Sequence, residues 1–130
     1  MSVRAAEEKA RGLLRWQERR VREFIDANLS GSLRVKDLSA QIQRSASHFA
    51  RSFKETFGET PHSYVARRRV HLASQLMLEA DSPLRDIALM CGYSDQAHLC
   101  KQFRISFGMS PSEWRRARRS SGPPGAPAPP

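Results

Sequence analysis

The hallmarks of membrane, secreted and disulfide-rich proteins are missing from this sequence of 130 residues. No apolar run approaches the ~18 residues that a membrane span needs. The charged N-terminal segment contains no hydrophobic core of a secretory signal. Cys91 and Cys100 are the only cysteines, too few for a disulfide-dense scaffold or a four-cysteine zinc site. We therefore expect a cytoplasmic protein that does not span a membrane.

Motifs for catalysis and metal binding are missing too. The sequence has no Gly-rich phosphate loop, no G-x-S-x-G motif and no paired carboxylates in an apolar setting. Its four histidines and two cysteines show no spacing typical of a metal site. Cys91 and Cys100 fall near the apolar sides of their predicted helices, which favours core thiols over a redox pair. We expect no enzymatic activity, no cofactor and no metal.

Positive charge is abundant. Lys and Arg number 22 against 13 Asp and Glu, which gives a formal net charge of +9 and a pI of about 10.7. Such a balance favours a polyanionic partner, with nucleic acid first and an acidic membrane surface second. Of the two, we expect nucleic acid to be the partner and no membrane to be bound. Hydrophobic residues make up 39% of the chain, enough for one domain or two very small ones.

The two ends differ in composition from the centre. Residues 120–130 consist of Ser, Gly, Ala and Pro and cannot build a core, so we predict a disordered tail. Residues 1–31 are predicted to form one helical stretch that stops near Ser30 and Gly31, and residues 1–19 are predicted to be an extension to a domain at 20–119. Apolar residues recur at helical spacing in this stretch, at Leu14, Val21, Phe24, Ile25 and Leu29.

An internal repeat organises the centre. Residues 53–61 match residues 103–111 at an offset of fifty, both with the pattern Phe-x-x-x-Phe-Gly-x-[Ser/Thr]-Pro. Residues 36–39 match residues 85–88 at an offset of 49, so the second copy carries one extra residue. The chain therefore contains two copies of one supersecondary unit.

Each copy is predicted to form a helix, a short turn and a second helix. Ser45 and Asp95 are candidate N-caps of the second helices, and Gly58 and Gly108 are candidate left-handed C-caps. The first helices carry apolar residues on one face, at Val35, Leu38 and Ile42, and at Leu84, Ile87 and Met90 or Cys91. The second helices repeat an apolar residue every four positions, at Phe49, Phe53 and Phe57, and at Leu99, Phe103 and Phe107.

A long helix is predicted to join the two copies. Residues 61–81 contain no Gly or Pro after Pro61, which predicts a rod of about 30 Å. Pro61, Pro83 and Pro111 each follow a Ser or Thr and are predicted at the first position of a helix. Without any period-two alternation, the fold is predicted as all-α, with helix–turn–helix subdomains at about 20–60 and 82–119.

The turn of the first copy contains an unusual residue. Gln43 stands where the second copy has Gly92. If the backbone there is left-handed, Gln43 carries a cost of roughly 1 kcal/mol that glycine would avoid.

The second helix of each copy suits the DNA major groove. With its apolar side inward, each presents polar and basic residues outward: Ser47, His48, Arg51, Lys54 and Glu55, then Gln96, Ala97, His98, Lys101 and Arg104. An ordinary amphipathic surface helix is the alternative. Two helices that contact bases on one face of B-DNA must lie one helical turn apart, which is ~34 Å. A connecting helix of about 30 Å permits this within one chain, so a monomer suffices.

Other basic residues are candidates for phosphate contacts, which supply affinity and salt dependence but little sequence information. They are Lys54, Arg67, Arg68, Arg104, Arg115 and Arg116.

The second copy carries the clearest resemblance to a known family. Five short motifs carry it: Asp-Ile-Ala at 86–88, Cys-Gly-Tyr-Ser-Asp-Gln at 91–96, Phe-Arg at 103–104, Phe-Gly-Met-Ser-Pro at 107–111 and Trp-Arg at 114–115. This pattern resembles the signature of the AraC/XylS family of bacterial transcription regulators. The resemblance implies a seven-helix bundle of two helix–turn–helix subdomains, sequence-specific binding to double-stranded DNA, and a transcription activator that also contacts RNA polymerase.

The resemblance also implies the residues that read bases. They are Ser47, Ala50 and Arg51 in the first copy, and Gln96, Ala97, His98 and Lys101 in the second. Arg51 could pair with guanine and Gln96 with adenine. Because Ser47 and Ala50 are small, a basic nucleic-acid binder of low specificity is the alternative. A protein-interaction module is a third possibility.

The family's usual effector-binding or dimerisation domain does not fit into residues 1–31. The chain thus resembles either the stand-alone, MarA-like members of the family or an isolated DNA-binding module. We expect no small-molecule effector within it and a location on the nucleoid.

Overall fold

The computed structural model of the chain describes residues 12–120. Within this range the secondary structure is entirely helical, as predicted, with seven helices and no strand. The helices are α1 (Arg15–Ala27), α2 (Val35–Ala40), α3 (Ala46–Phe57), α4 (Pro61–Glu79), α5 (Leu84–Met90), α6 (Gln96–Phe107) and α7 (Pro111–Ser120). None of these seven helices is long and apolar enough to cross a membrane.

The chain divides into two compact units within α4, the first ending at Arg68 and the second beginning at Arg69. The first unit contains α1, α2, α3 and the start of α4, and α2 and α3 form its helix–turn–helix. The second contains the rest of α4 with α5, α6 and α7, and α5 and α6 form its helix–turn–helix. The predicted duplication is thus present as two units of similar construction.

Aromatic rings from the repeated motif build the core of the first unit. Phe53 stacks on Phe57 with ring centroids 4.0 Å apart and meets the edge of Tyr64 at 5.5 Å. The other buried apolar residues of this unit come from all four of its helices and from the segments after α1 and α2: Val21, Ile25, Leu29, Leu38, Ile42, Phe49 and Val65.

The second unit repeats this arrangement. Phe103 stacks on Phe107 at 4.3 Å and meets the edge of Trp114 at 5.5 Å. The remaining buried core residues of the unit are Val70, Ala73, Met77, Ile87, Ala88, Cys91, Tyr93 and Leu99. The same Phe-x-x-x-Phe spacing supplies the stacked pair in both units. The same kind of aromatic packing therefore holds α3 in the first unit and α6 in the second.

The ends of α3 and α6 also match. Ser45 accepts a hydrogen bond from the backbone N–H of His48, and Asp95 accepts one from His98. Gly58 and Gly108 end the two helices in the left-handed conformation, both with φ of 77°. All four predicted caps are confirmed, and they fix the same helix length in both units.

Three predictions about helix boundaries need correction. Pro83 is the N-cap of α5 rather than its first residue, because its extended backbone places it just before the helix. Ile42, predicted on the first helix, lies in the turn that follows α2, and its side chain is buried there. Residues 12–14 are not helical, so only Arg15–Ala27 of the predicted stretch 1–31 is confirmed as helix. Residues 1–11 and the tail at 121–130 lie outside the described residues.

Candidate nucleic-acid interface

The outer face of α3 displays polar and basic side chains. Phe49 and Phe53 are fully buried on its inner face, whereas Ser47 and Arg51, two of the predicted base-reading residues, are exposed. The third, Ala50, lies on the flank and is half-buried. His48, Lys54 and Glu55 are exposed as well.

The outer face of α6 is similar. Leu99 and Phe103 are fully buried beneath it. The four predicted base-reading residues are all exposed, together with Arg104; they are Gln96, Ala97, His98 and Lys101. Each unit therefore offers one helix with an anchored apolar side and an open polar side, the form that enters a major groove.

The two histidines at the start of these helices have structured surroundings. His48 Nδ1 lies 3.1 Å from Arg44 Nη1. His98 Nδ1 lies 3.5 Å from Ser94 Oγ, and its ring meets Tyr93 edge-on with centroids 5.0 Å apart. Contacts of this kind restrict the imidazoles to fewer orientations than a fully solvated histidine has.

Five of the six predicted phosphate contacts fall into two groups. Arg67 forms a 2.9 Å ion pair with Glu59, and Arg68 forms a 3.1 Å ion pair with Asp26, so an acidic neighbour offsets the charge of each. The other group is exposed and forms no ion pair with any residue between 12 and 120; it comprises Lys54, Arg104 and Arg116. No acidic partner within residues 12–120 therefore offsets the charge of these three side chains.

Arg115 has a role that the sequence did not indicate. Its guanidinium donates hydrogen bonds to three backbone carbonyls at the end of α4 and just after it: Met77 at 3.0 Å, Ala80 at 2.8 Å and Ser82 at 3.3 Å. The carbonyls that end a helix lack partners within it, and a cationic donor there also favours the helix dipole. The nearest of these partners is 33 residues away in the sequence, so no local spacing could reveal the contact.

The second unit contains buried ionisable groups close to the start of α6. Burial raises the pKa of Cys91 to about 11 and that of Tyr93 to about 12. Desolvation lowers the pKa of Arg69, and the nearby Tyr93 and Cys91 act in the opposite direction. Cys91 is fully buried, as predicted for a core thiol, whereas Cys100 is only half-buried.

Comparison with known proteins identifies close relatives of this arrangement. Residues 38–117 match the profile of the helix-turn-helix domain family. The chain is 38% identical over 92 residues to the probable transcriptional regulator LumQ of Photobacterium leiognathi, which covers 71% of the chain and 37% of LumQ. It is 31% identical over 93 residues to the lactose operon transcription activator of Staphylococcus xylosus, covering 72% of the chain and 33% of that protein. The chain thus spans about a third of the length of these relatives.

Solved structures share the fold. The DNA-binding domain of AdpA, solved with a target DNA, is similar with a TM-score of 0.76 and 28% identity, over 81% of this chain and 95% of that domain. A regulator with an AraC-type DNA-binding domain from Chromobacterium violaceum is similar with a TM-score of 0.74 and 26% identity, over 82% of this chain and 95% of the other.

Proposed function

The chain belongs to the AraC/XylS family of DNA-binding transcription regulators, and we propose that it binds a specific double-stranded sequence by inserting α3 and α6 into adjacent major-groove segments. One observation carries the proposal: both units present a capped helix whose apolar side is locked into an aromatic core and whose polar side is open. The similarity to the DNA-binding domain of AdpA, solved in complex with a target DNA, supports it.

Base recognition is assigned to the exposed residues of both helices. Arg51 carries a guanidinium fork that can pair with O6 and N7 of guanine, and Gln96 can pair with adenine. Ser47, Ala97, His98 and Lys101 lie beside them on the open faces. Ala50 contributes at most an apolar contact to a thymine methyl group, because it is half-buried and has no polar atom.

Phosphate binding is assigned mainly to Lys54, Arg104 and Arg116, which are exposed. Arg67 and Arg68 would have to loosen their ion pairs with Glu59 and Asp26 to add to it. We propose that Arg115 stabilises the end of α4 rather than contacting DNA, since its three nitrogens already bind carbonyls.

We propose further that one copy of the chain is enough, because both reading helices belong to it, and that the protein activates transcription through RNA polymerase. The name of the lactose operon transcription activator supports the activator role. A purified transcription reaction containing a selected site upstream of a promoter should give more transcript with the protein than without it. Unchanged or lower transcript would contradict activation.

Selection from a random duplex pool at fixed salt tests the proposed binding. Enrichment of a bipartite site, with halves about one helical turn apart, is expected. Arg51→Ala should relax one base position and cost ~1–3 kcal/mol of binding, whereas Lys54→Ala should weaken all sequences alike. Uniform binding with a steep salt dependence would instead support a nucleic-acid binder of low specificity.

A further inference from the structure

His48 and His98 occupy equivalent positions, fifty residues apart, in the two units. Each is the third residue of its helix, and each donates its backbone N–H to the N-cap side chain, Ser45 or Asp95. Both side chains are exposed at the N-terminal end of the open face, where major-groove helices contact base edges. Of these two histidines, the resemblance assigned base reading only to His98, yet His48 has the same helix position and the same backbone hydrogen bond to its N-cap.

The two imidazoles differ in what holds them. The guanidinium of Arg44 can only donate, so in the 3.1 Å contact His48 Nδ1 must accept. A neutral imidazole that accepts at Nδ1 carries its proton on Nε2. Ser94, the equivalent of Arg44, offers His98 a hydroxyl that can donate or accept, so it leaves the tautomer of His98 open.

We propose that His48 is a specificity-determining residue of the first unit and that Arg44 positions it, by holding its ring as an Nε2–H donor. The inference rests on the proposed DNA-binding function. In the major groove, a lone donor pairs with guanine O6 or N7, adenine N7 or thymine O4, whereas cytosine offers only its N4 donor. At the base that it contacts, His48 therefore can donate to guanine, adenine or thymine and discriminates against cytosine.

This role strengthens sequence readout where the first unit is otherwise weak. Ser47 and Ala50 are short, so without His48 most of the direct recognition by α3 would fall to Arg51. His48 and Arg51 are spaced i and i+3, which places them side by side on a helix. Together they give α3 two donors directed outward along the same edge.

The tautomer can be measured on the free, full-length chain. Long-range proton–nitrogen NMR correlations of the histidine rings, recorded at mildly alkaline pH, distinguish protonation at Nε2 from protonation at Nδ1. We expect His48 to be protonated at Nε2, and Arg44→Met to shift it towards a mixture. His62, exposed on α4, is the internal control and should not change. A His48 ring that gives the same spectrum with and without Arg44 would overturn the role of Arg44.

Competition among duplexes that differ at one base pair tests the readout. With the site selected by the full chain, His48→Ala should lower discrimination against cytosine about three- to tenfold at a single position, the share of one hydrogen bond. Arg44→Met should relax the same position, and His48→Gln, whose amide can also donate, should restore part of the preference. His62→Ala should leave every position unchanged.

The outcomes separate this inference from the function on which it rests. A wild-type chain without any base preference would contradict the proposed function. A wild-type preference that His48→Ala leaves intact would overturn only the role of His48. Arg44→Met weakening all sequences equally, with the cytosine position still discriminated, would show that Arg44 binds phosphate instead of positioning His48.

Discussion

Gln43 and Gly92 share a left-handed backbone at the same point of the two units, with φ of 55° and 84°. Each lies in the turn that follows the first helix of a helix–turn–helix. Glycine adopts this conformation without a steric penalty, whereas the Cβ of glutamine approaches a carbonyl oxygen. The first unit thus keeps a strained residue at a position where the second has none.

Replacing Gln43 with glycine should raise stability. Relief of the left-handed strain is worth up to about 1 kcal/mol, partly offset by the greater freedom of glycine in the unfolded chain. We expect thermal unfolding to shift up by about one to a few degrees. Gln41→Gly is the matched control, because Gln41 has φ of −64° and should lose stability on the same change. A lower melting temperature for Gln43→Gly would contradict this account.

Removing Arg115 should destabilise the second unit. Arg115→Ala leaves the carbonyls of Met77, Ala80 and Ser82 without their charged donor, and we expect a loss of about 2–3 kcal/mol in urea unfolding. Exposed Arg116 is the control, and Arg116→Ala should change stability by no more than ~0.5 kcal/mol. In DNA binding the order reverses, since only Arg116→Ala should lower the salt dependence, by about one phosphate contact. Equal stability losses for the two variants would refute the structural role of Arg115.

The two N-caps should differ in strength. Asp95 accepts from His98 at 2.8 Å with a charged oxygen, whereas Ser45 accepts from His48 at 3.4 Å with a neutral one. Asp95→Ala should cost about 1 kcal/mol, and Ser45→Ala about half of that. Asp95→Asn keeps an acceptor and should restore most of the loss. Melting temperatures of the three variants give the comparison, and a larger loss for Ser45→Ala would reverse the ranking.

The buried thiol of Cys91 predicts a loss of stability at alkaline pH. Its pKa is raised from 9.0 to about 11, so the unfolded thiol releases its proton first as the pH rises. The free energy of unfolding should therefore fall between about pH 9 and pH 11, by an amount on the order of 2 kcal/mol. Cys91→Ala should flatten this part of the stability profile in urea unfolding, and Cys100→Ala should not. An unchanged slope for Cys91→Ala would show that another group, such as Tyr93, carries the pH dependence.

Most of the local structure could be predicted from the sequence. Caps, apolar spacing and helix-ending glycines act within a few residues of one another, and the repeat provided each signal twice. Ser45, Asp95, Gly58 and Gly108 are accordingly all confirmed. The left-handed turn at Gln43 followed from the glycine at the equivalent position of the second copy.

The remaining features depend on contacts between distant parts of the chain. Asp26 pairs with Arg68 from 42 residues away, and Arg115 meets Met77 from 38 residues away. The charge of an arginine and its position in the sequence do not reveal whether its side chain is solvated, ion-paired or bound to the end of another helix. Candidate phosphate contacts could therefore be collected from the sequence, but only the structure could rank them.

Each unit contains one of the two tryptophans, and their surroundings are opposite. Trp114 packs against Phe103 and Phe107 and is only 9% exposed, whereas Trp16 on α1 is 56% exposed. An indole emits at shorter wavelength when shielded from water, so only the fluorescence of Trp114 moves strongly to the red on denaturation. The shift in tryptophan emission therefore reports the unfolding of the second unit. Circular dichroism instead averages over the helices of both units. If the two units unfold separately, the unfolding curves from the two measurements will differ.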